Sequence, residues 1–140
     1  MSEVKQCIVI RRDLKMGKGK CVSQGAHASM ACLLNNMFAD DKKVQLSKAT
    51  LKYLYGADVA DAFMNYVNGT CRFTKVCVYV NSEQELLDIY EKAKAAKLPC
   101  SLIKDAGLTE FHGVPTLTCC GIGPAPAETI DLITGELPLL

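Results

Sequence analysis

The chain has 140 residues, 49% of them apolar, and a formal net charge of +1. That length and apolar content suit one domain with its own core and exclude a disordered segment. The near-neutral balance excludes a general polycation that binds nucleic acid along its whole surface.

No apolar run reaches the roughly 20 residues of a membrane span, and the opening MSEVKQ has no secretory h-region. A soluble, cytoplasmic protein with no membrane contact is therefore expected. The eight cysteines contain no C-x-x-C pair, and there are only two histidines, His27 and His112. Zinc ligands usually come as close pairs, so no metal and no cofactor are expected. Cysteines within apolar runs, such as Cys77 in VCVYV, read as small, reduced, buried hydrophobes.

Gln6–Arg11 is apolar and β-branched, as a buried strand requires. A basic glycine loop follows it. The spacing then predicts a helix from about Cys21 to Met37, with Val22, Ala26, Met30, Leu33 and Met37 as its buried stripe. Asn35–Lys43 reads as a polar exit. Ser47 to about Asn68 is again helical, broken in two at Gly56. Phe73–Val80 is a strong strand, apolar on both faces near its end, which predicts a central position.

Ser82–Glu85 is a capping box that starts a helix to about Lys97, with Leu86, Tyr90, Ala93 and Lys97 on one stripe. Cys100–Lys104 and Thr116–Gly123 read as strands. A GPAP turn leads into the short helix AETIDLIT, ended by Gly135. The order predicts an α/β fold: a single domain with a mixed four-stranded sheet flanked by helices on both faces.

The charge is unevenly placed. Residues 1–20 hold six basic and two acidic side chains, and five of the basic ones lie within RRDLKMGKGK: Arg11, Arg12, Lys15, Lys18 and Lys20. Glycines that admit close approach, amides at a helix start and these cations make a plausible phosphate or oxyanion site. A solvated charged loop is the alternative, and the Walker spacing is absent.

Lys20, Gln24 and His27 are spaced to share one helical face. Asp105 follows a strand within KDAGLTE, where it either serves a ligand at the sheet rim or caps a turn. His27 is a natural base near neutral pH, or a packed histidine with one hydrogen bond. His112 reads as exposed.

IVIRRDLKMGKGKCVSQGAHA, SLIKDAGLTE and TLTCCGIGPAPAETIDLITGELPLL resemble the three signature blocks of the peptidyl-tRNA hydrolase 2 family, in the same order and nearly the same spacing. The resemblance implies hydrolysis of the ester joining a peptide to the 3′ end of tRNA, with peptidyl-tRNA as partner and tRNA recycled to translation. It maps the active site onto Lys20, Asp105 and Thr118. It also makes Gln24, His27, Thr109 and Thr116 candidate substrate contacts, and gives the five basic residues to phosphates.

Two departures stand out. Residues 38–70 form a divergent helical segment, and the loop before Thr118 is one residue longer. Alternation places Thr116 and Thr118 on one strand face, so either could serve the site. Leu51, Leu54, Tyr55 and Phe63 have two readings, a homodimer surface or the core of their own helices, and the core is the simpler. A family member that only binds RNA or protein, and a hydrolase of another acyl ester, are the competing functions.

Overall fold

The computed structural model describes residues 3–39 and 44–140. The chain runs β1 (Val4–Arg11), a 3-10 turn (Arg12–Leu14), α1 (Lys18–Met37), β2 (Phe38–Ala39), β3 (Val44–Gln45), α2 (Lys48–Tyr55) and α3 (Ala57–Val67). It continues through β4 (Lys75–Val80), α4 (Glu83–Ala95), β5 (Cys100–Asp105), β6 (Thr116–Pro126) and α5 (Ala127–Thr134). Of the polar exit, Asp40–Lys43 lie outside the described residues. Its flanks, β2 and β3, pair as a two-residue antiparallel ladder.

The main sheet has the order β4-β1-β6-β5. β1 is parallel to β4, and β6 is antiparallel to both β1 and β5. The sheet is mixed, as expected. β1 is apolar on both faces. Cys7 and Val9 join a core with Leu86, Ile89 and Ala93 of α4 and Ile130 of α5. Ile8 and Ile10 pack on the other side with Ala28 of α1 and Cys119. Helices therefore cover both faces.

β4 is an edge strand, not the central one. Val78 and Val80 are buried, but Lys75 and Cys77 on the opposite face are exposed. Cys77 had looked like core because a thiol counts as apolar. Helix α1 packs mainly against β5 and β6 instead, which leaves Lys75 and Cys77 exposed. All eight cysteines carry free thiols. The GPAP stretch continues β6 rather than turning.

The stripe predicted for α1 is also corrected. Val22 and Met30 are 72% and 58% exposed. The face turned to the sheet carries Gln24, Ala28, Ser29, Cys32 and Asn36, the small and polar side. Close approach makes this possible. A Cβ on Gly121 of β6 would stand 2.9 Å from the Ala28 carbonyl and 2.9 Å from Cys32 Sγ, so only glycine lets the helix lie so near the strand. The polar groups are satisfied there. Ser29 donates to Gln6 Oε1 at 2.5 Å, and Asn36 donates to the Cys32 carbonyl at 2.6 Å.

Leu51 and Phe63 are each 1% exposed, in one cluster with Ala60. Each stabilises the α2–α3 hairpin by about 1.5–3 kcal/mol, and neither offers a dimer surface. The capping box holds with one change. Ser82 Oγ accepts from the Glu85 amide at 3.0 Å, while the Glu85 carboxylate accepts from the Asn81 amide, not that of Ser82, at 2.6 Å. On α4, Ile89 is buried where Tyr90 and Lys97 had been expected.

Candidate active site

α1 begins at Lys18, three residues before its predicted start, so Lys18 and Lys20 belong to a helical first turn. The first intrahelical bond runs from the Cys21 amide to the Gly17 carbonyl at 2.9 Å. The amides before it have no partner within the helix, as at any helix N-terminus. Glu110 Oε1 accepts from the Gly17 amide at 3.2 Å.

Lys20 reaches across to the end of β5. Its Nζ donates to Asp105 Oδ1 at 2.9 Å and to Thr109 Oγ1 at 2.8 Å. The side chains of the ion pair are only 13% and 15% exposed, so water screens it less than a surface pair. One turn further along, Gln24 is 1% exposed. Gln24 Nε2 donates to Asp105 Oδ1 at 3.2 Å, and its Oε1 accepts from the buried Thr118 hydroxyl at 2.5 Å. The Gly107 amide donates to Asp105 Oδ2 at 2.8 Å.

These donors stabilise the ionised form. The Lys20 hydrogen bond first, and then the Gly107 amide, hold the Asp105 carboxyl below its ordinary value of 3.8. A carboxylate has about four lone-pair positions. Among the described residues, Lys20 and Gln24 fill the two on Oδ1 and Gly107 fills one on Oδ2. The position left open is on Oδ2. Of the three Lys20 ammonium protons, one is likewise uncommitted.

The loop after β5 is pinned at its neck. Gly107 has φ 84°, and a Cβ there would lie 2.3 Å from the Val114 carbonyl oxygen. The Gly113 amide closes back on the Gly107 carbonyl at 2.7 Å. This hairpin carries Thr109 to Lys20, and Phe111 under the Lys20 ammonium with its ring centre 5.5 Å away.

The choice between the two threonines turns on a bulge. The register steps from Ile103–Cys119 to Lys104–Leu117, which leaves Thr118 as the extra residue of β6. Thr118 meets Gln24, whereas Thr116 donates to the Val114 carbonyl at 2.8 Å within its own turn. Strand alternation could not reveal this.

Two other candidates lie apart. His27 is exposed and makes none of the cluster's contacts. Burial on α1 follows the i+4 ridge from Lys20 through Gln24, Ala28 and Cys32, which winds away from the i+7 direction. Arg11 is turned inward. Its guanidinium donates to both Asp13 oxygens, at 2.7 and 3.2 Å, and to the Leu117 carbonyl at 3.0 Å. These bonds tie Arg11 into a structural ion pair. Arg12, Lys15 and Lys18 are exposed.

A cleft of about 630 Å³ between the α2–α3 turn and the start of α5 shares no residue with this cluster. Among the described residues, no helix is long and apolar enough to cross a membrane.

The family model described as "Peptidyl-tRNA hydrolase PTH2" matches residues 4–140. The peptidyl-tRNA hydrolase of Methanocaldococcus jannaschii is 43% identical over 98% of this chain and 100% of its own length. That of Methanothermobacter thermautotrophicus is 39% identical, with 98% and 100% covered, and that of Saccharolobus solfataricus is 35% identical, with 98% and 99% covered. With Lys20, Gln24, Asp105 and Thr118 joined in one network, and a match across nearly its whole length, the chain belongs to the peptidyl-tRNA hydrolase PTH2 family.

Proposed function

We propose that this chain hydrolyses the ester between the peptide and the tRNA 3′ end of peptidyl-tRNA, returning tRNA to translation, with Asp105 and Lys20 at the reacting atoms. One observation carries the assignment of roles: the open acceptor position on Asp105 Oδ2 lies on a carboxylate whose other oxygen is held by Lys20, which keeps one donor free. Water held by Oδ2 attacks the carbonyl carbon. The Lys20 ammonium meets the negative charge that develops on the carbonyl oxygen. The hydroxide joins the peptide carbonyl, and the remaining proton passes to the ribose oxygen as the ester bond breaks.

A carboxylate held below its ordinary value is a weak base. Asp105 therefore contributes chiefly by orienting the water and favouring positive charge on it as it attacks. Thr118 is buried behind Gln24, which makes it a positioning residue that acts through Gln24. Thr109 accepts from Lys20 and keeps its own hydroxyl proton for the substrate. Arg12, Lys15 and Lys18 serve acceptor-end phosphates, with little base readout along the tRNA body.

The reaction belongs in the cytoplasm, where peptidyl-tRNA arises. We take residues 1–140 as one catalytic domain, with 38–70 the segment most particular to this chain. A homodimer is part of the same proposal, supported by Val22 and Met30 exposed on α1. Light scattering tests it.

The assay for the activity is single-turnover cleavage of N-blocked aminoacyl-tRNA, beside unblocked aminoacyl-tRNA and a simple amino-acid ester. Cleavage of the blocked tRNA is expected. No cleavage would leave the RNA- or protein-binding reading. Equal cleavage of the simple ester would point to a broader acyl-ester hydrolase.

A further inference from the structure

A second cleft, of about 570 Å³, opens on the other flank of the α1 first turn. Ile10, Met16 and Cys21 form an apolar floor, Arg12 and Lys15 a cationic rim, and Asn81 one polar wall. We infer that this cleft holds an unpaired nucleobase of the tRNA acceptor end, stacked on the Arg12 guanidinium. The inference rests on the proposed activity and names where that substrate's single-stranded end is gripped.

Arg12 and Arg11 are adjacent and basic, yet their environments are opposite. Asp13 neutralises Arg11. Arg12 has no carboxylate within ion-pair distance among the described residues. It lies instead 4.5 Å over the ring centre of Tyr79. Its backbone is fixed in a 3-10 turn, closed by the Lys15 amide to the Arg12 carbonyl at 3.0 Å. Tyr79 covers one face of the guanidinium plane, and Arg12 lines the cleft; the inference places the base against the other face. A planar cation backed by an aromatic ring is a stacking platform for a base.

Asp13 also lines the cleft, with its charge balanced by Arg11, and Leu140 adds to the apolar part. A phosphate alone needs cations and amides, not an apolar floor. A base needs an apolar slot, and an edge partner that both donates and accepts, which the Asn81 amide supplies. The volume lies within the range of small-ligand sites. Lys15 on the rim can then meet the phosphate of the same nucleotide. Cys21 on the floor directly follows Lys20 in α1, so the base sits one helix face away from Asp105. Stacking is sequence-tolerant, as an enzyme serving many tRNAs requires.

The test uses the trinucleotide CCA with 2-aminopurine in place of adenine or, in a second probe, of the middle base. Stacking quenches its fluorescence. The wild-type protein should quench at least one probe, with cytidine 5′-monophosphate competing. Arg12→Ala and Tyr79→Ala, with wild-type circular dichroism, should lose the quenching. On N-blocked aminoacyl-tRNA, Arg12→Ala should lower kcat/KM roughly 5- to 160-fold, the range for one lost stack. In quenching, Arg12→Lys should be no better than Arg12→Ala, because it keeps the charge and loses the plane; in cleavage it should recover only the part that charge supplies to phosphate. Full rescue by Arg12→Lys, or no quenching by the wild type, would overturn the inference. So would competition by an N-blocked dipeptide amide and not by the nucleotide. Because quenching is read without hydrolysis, a failure of the cleft is distinguishable from a failure of the proposed activity.

Discussion

Gln24 holds Asp105 through a single buried amide: its Nε2 donates to the carboxylate at 3.2 Å while its Oε1 takes the Thr118 hydroxyl at 2.5 Å. Thr118 therefore fixes which way the amide faces, and the amide fixes the carboxylate. Gln24→Glu replaces the donor with a negative charge beside Asp105. Its kcat should fall by roughly 10²-fold or more, the scale of a misplaced catalytic group, with KM changed far less. Thr118→Val should lower kcat in the same direction, and Thr118→Ser should restore it. If Thr118→Val turned over like wild type, the positioning role would be lost.

On the proposed mechanism, the acid limb of kcat/KM should report the Asp105 ionisation. Because Lys20 and then Gly107 hold its carboxyl below 3.8, the limb should lie below that value and leave the rate flat from there to neutrality. The linkage has the same sign. A depressed carboxyl contributes stability that is fully present above its unfolded value and is lost as pH falls through the folded one. Removing the ammonium with Lys20→Met should move the Asp105 titration up, towards its ordinary value. Carboxyl-carbon NMR titration reads both proteins, and an upward shift in the wild type would contradict the account.

Much of this arrangement was legible from sequence, for identifiable reasons. Element boundaries followed strong local signals, such as the Ser82 cap and the break at Gly56. Lys20, Asp105 and Thr118 came from the resemblance to a family, since Asp105 alone reads more readily as a turn cap. What stayed hidden depended on tertiary placement. α1 buries its polar side because Gly121 lets it approach β6, and no pattern within the helix shows that. The choice of Thr118 depends on a bulge that breaks strand alternation. Arg11 and Arg12 are alike in sequence and differ only in what stands opposite them.

Gly121→Ala tests the close approach of α1. Its Cβ would meet the Ala28 carbonyl and Cys32 Sγ, both at 2.9 Å. Overpacking of this kind costs about 1–3 kcal/mol, which denaturant unfolding should show as a lowered midpoint. An unchanged midpoint would mean that the helix has room to move.

Salt should weaken tRNA binding, since phosphate contacts release counterions. Lys18→Ala should reduce the slope of log K against log salt by roughly 0.7–0.9, as one phosphate contact does. Arg11→Ala should leave the slope unchanged and lower the melting temperature, because Arg11 is bound to Asp13 and the Leu117 carbonyl. The opposite pattern would return Arg11 to the phosphate site.

The most direct test of the central claim is single-turnover cleavage of peptidyl-tRNA by Asp105→Asn, alongside filter binding and circular dichroism. Asparagine keeps the size and one acceptor oxygen but removes the charge that Lys20 balances. Turnover should fall roughly 10²- to 10⁴-fold, the range for a lost acid–base group, with fold intact and tRNA affinity equal or slightly tighter. Wild-type turnover in a folded Asp105→Asn protein would contradict the account and direct attention to another base.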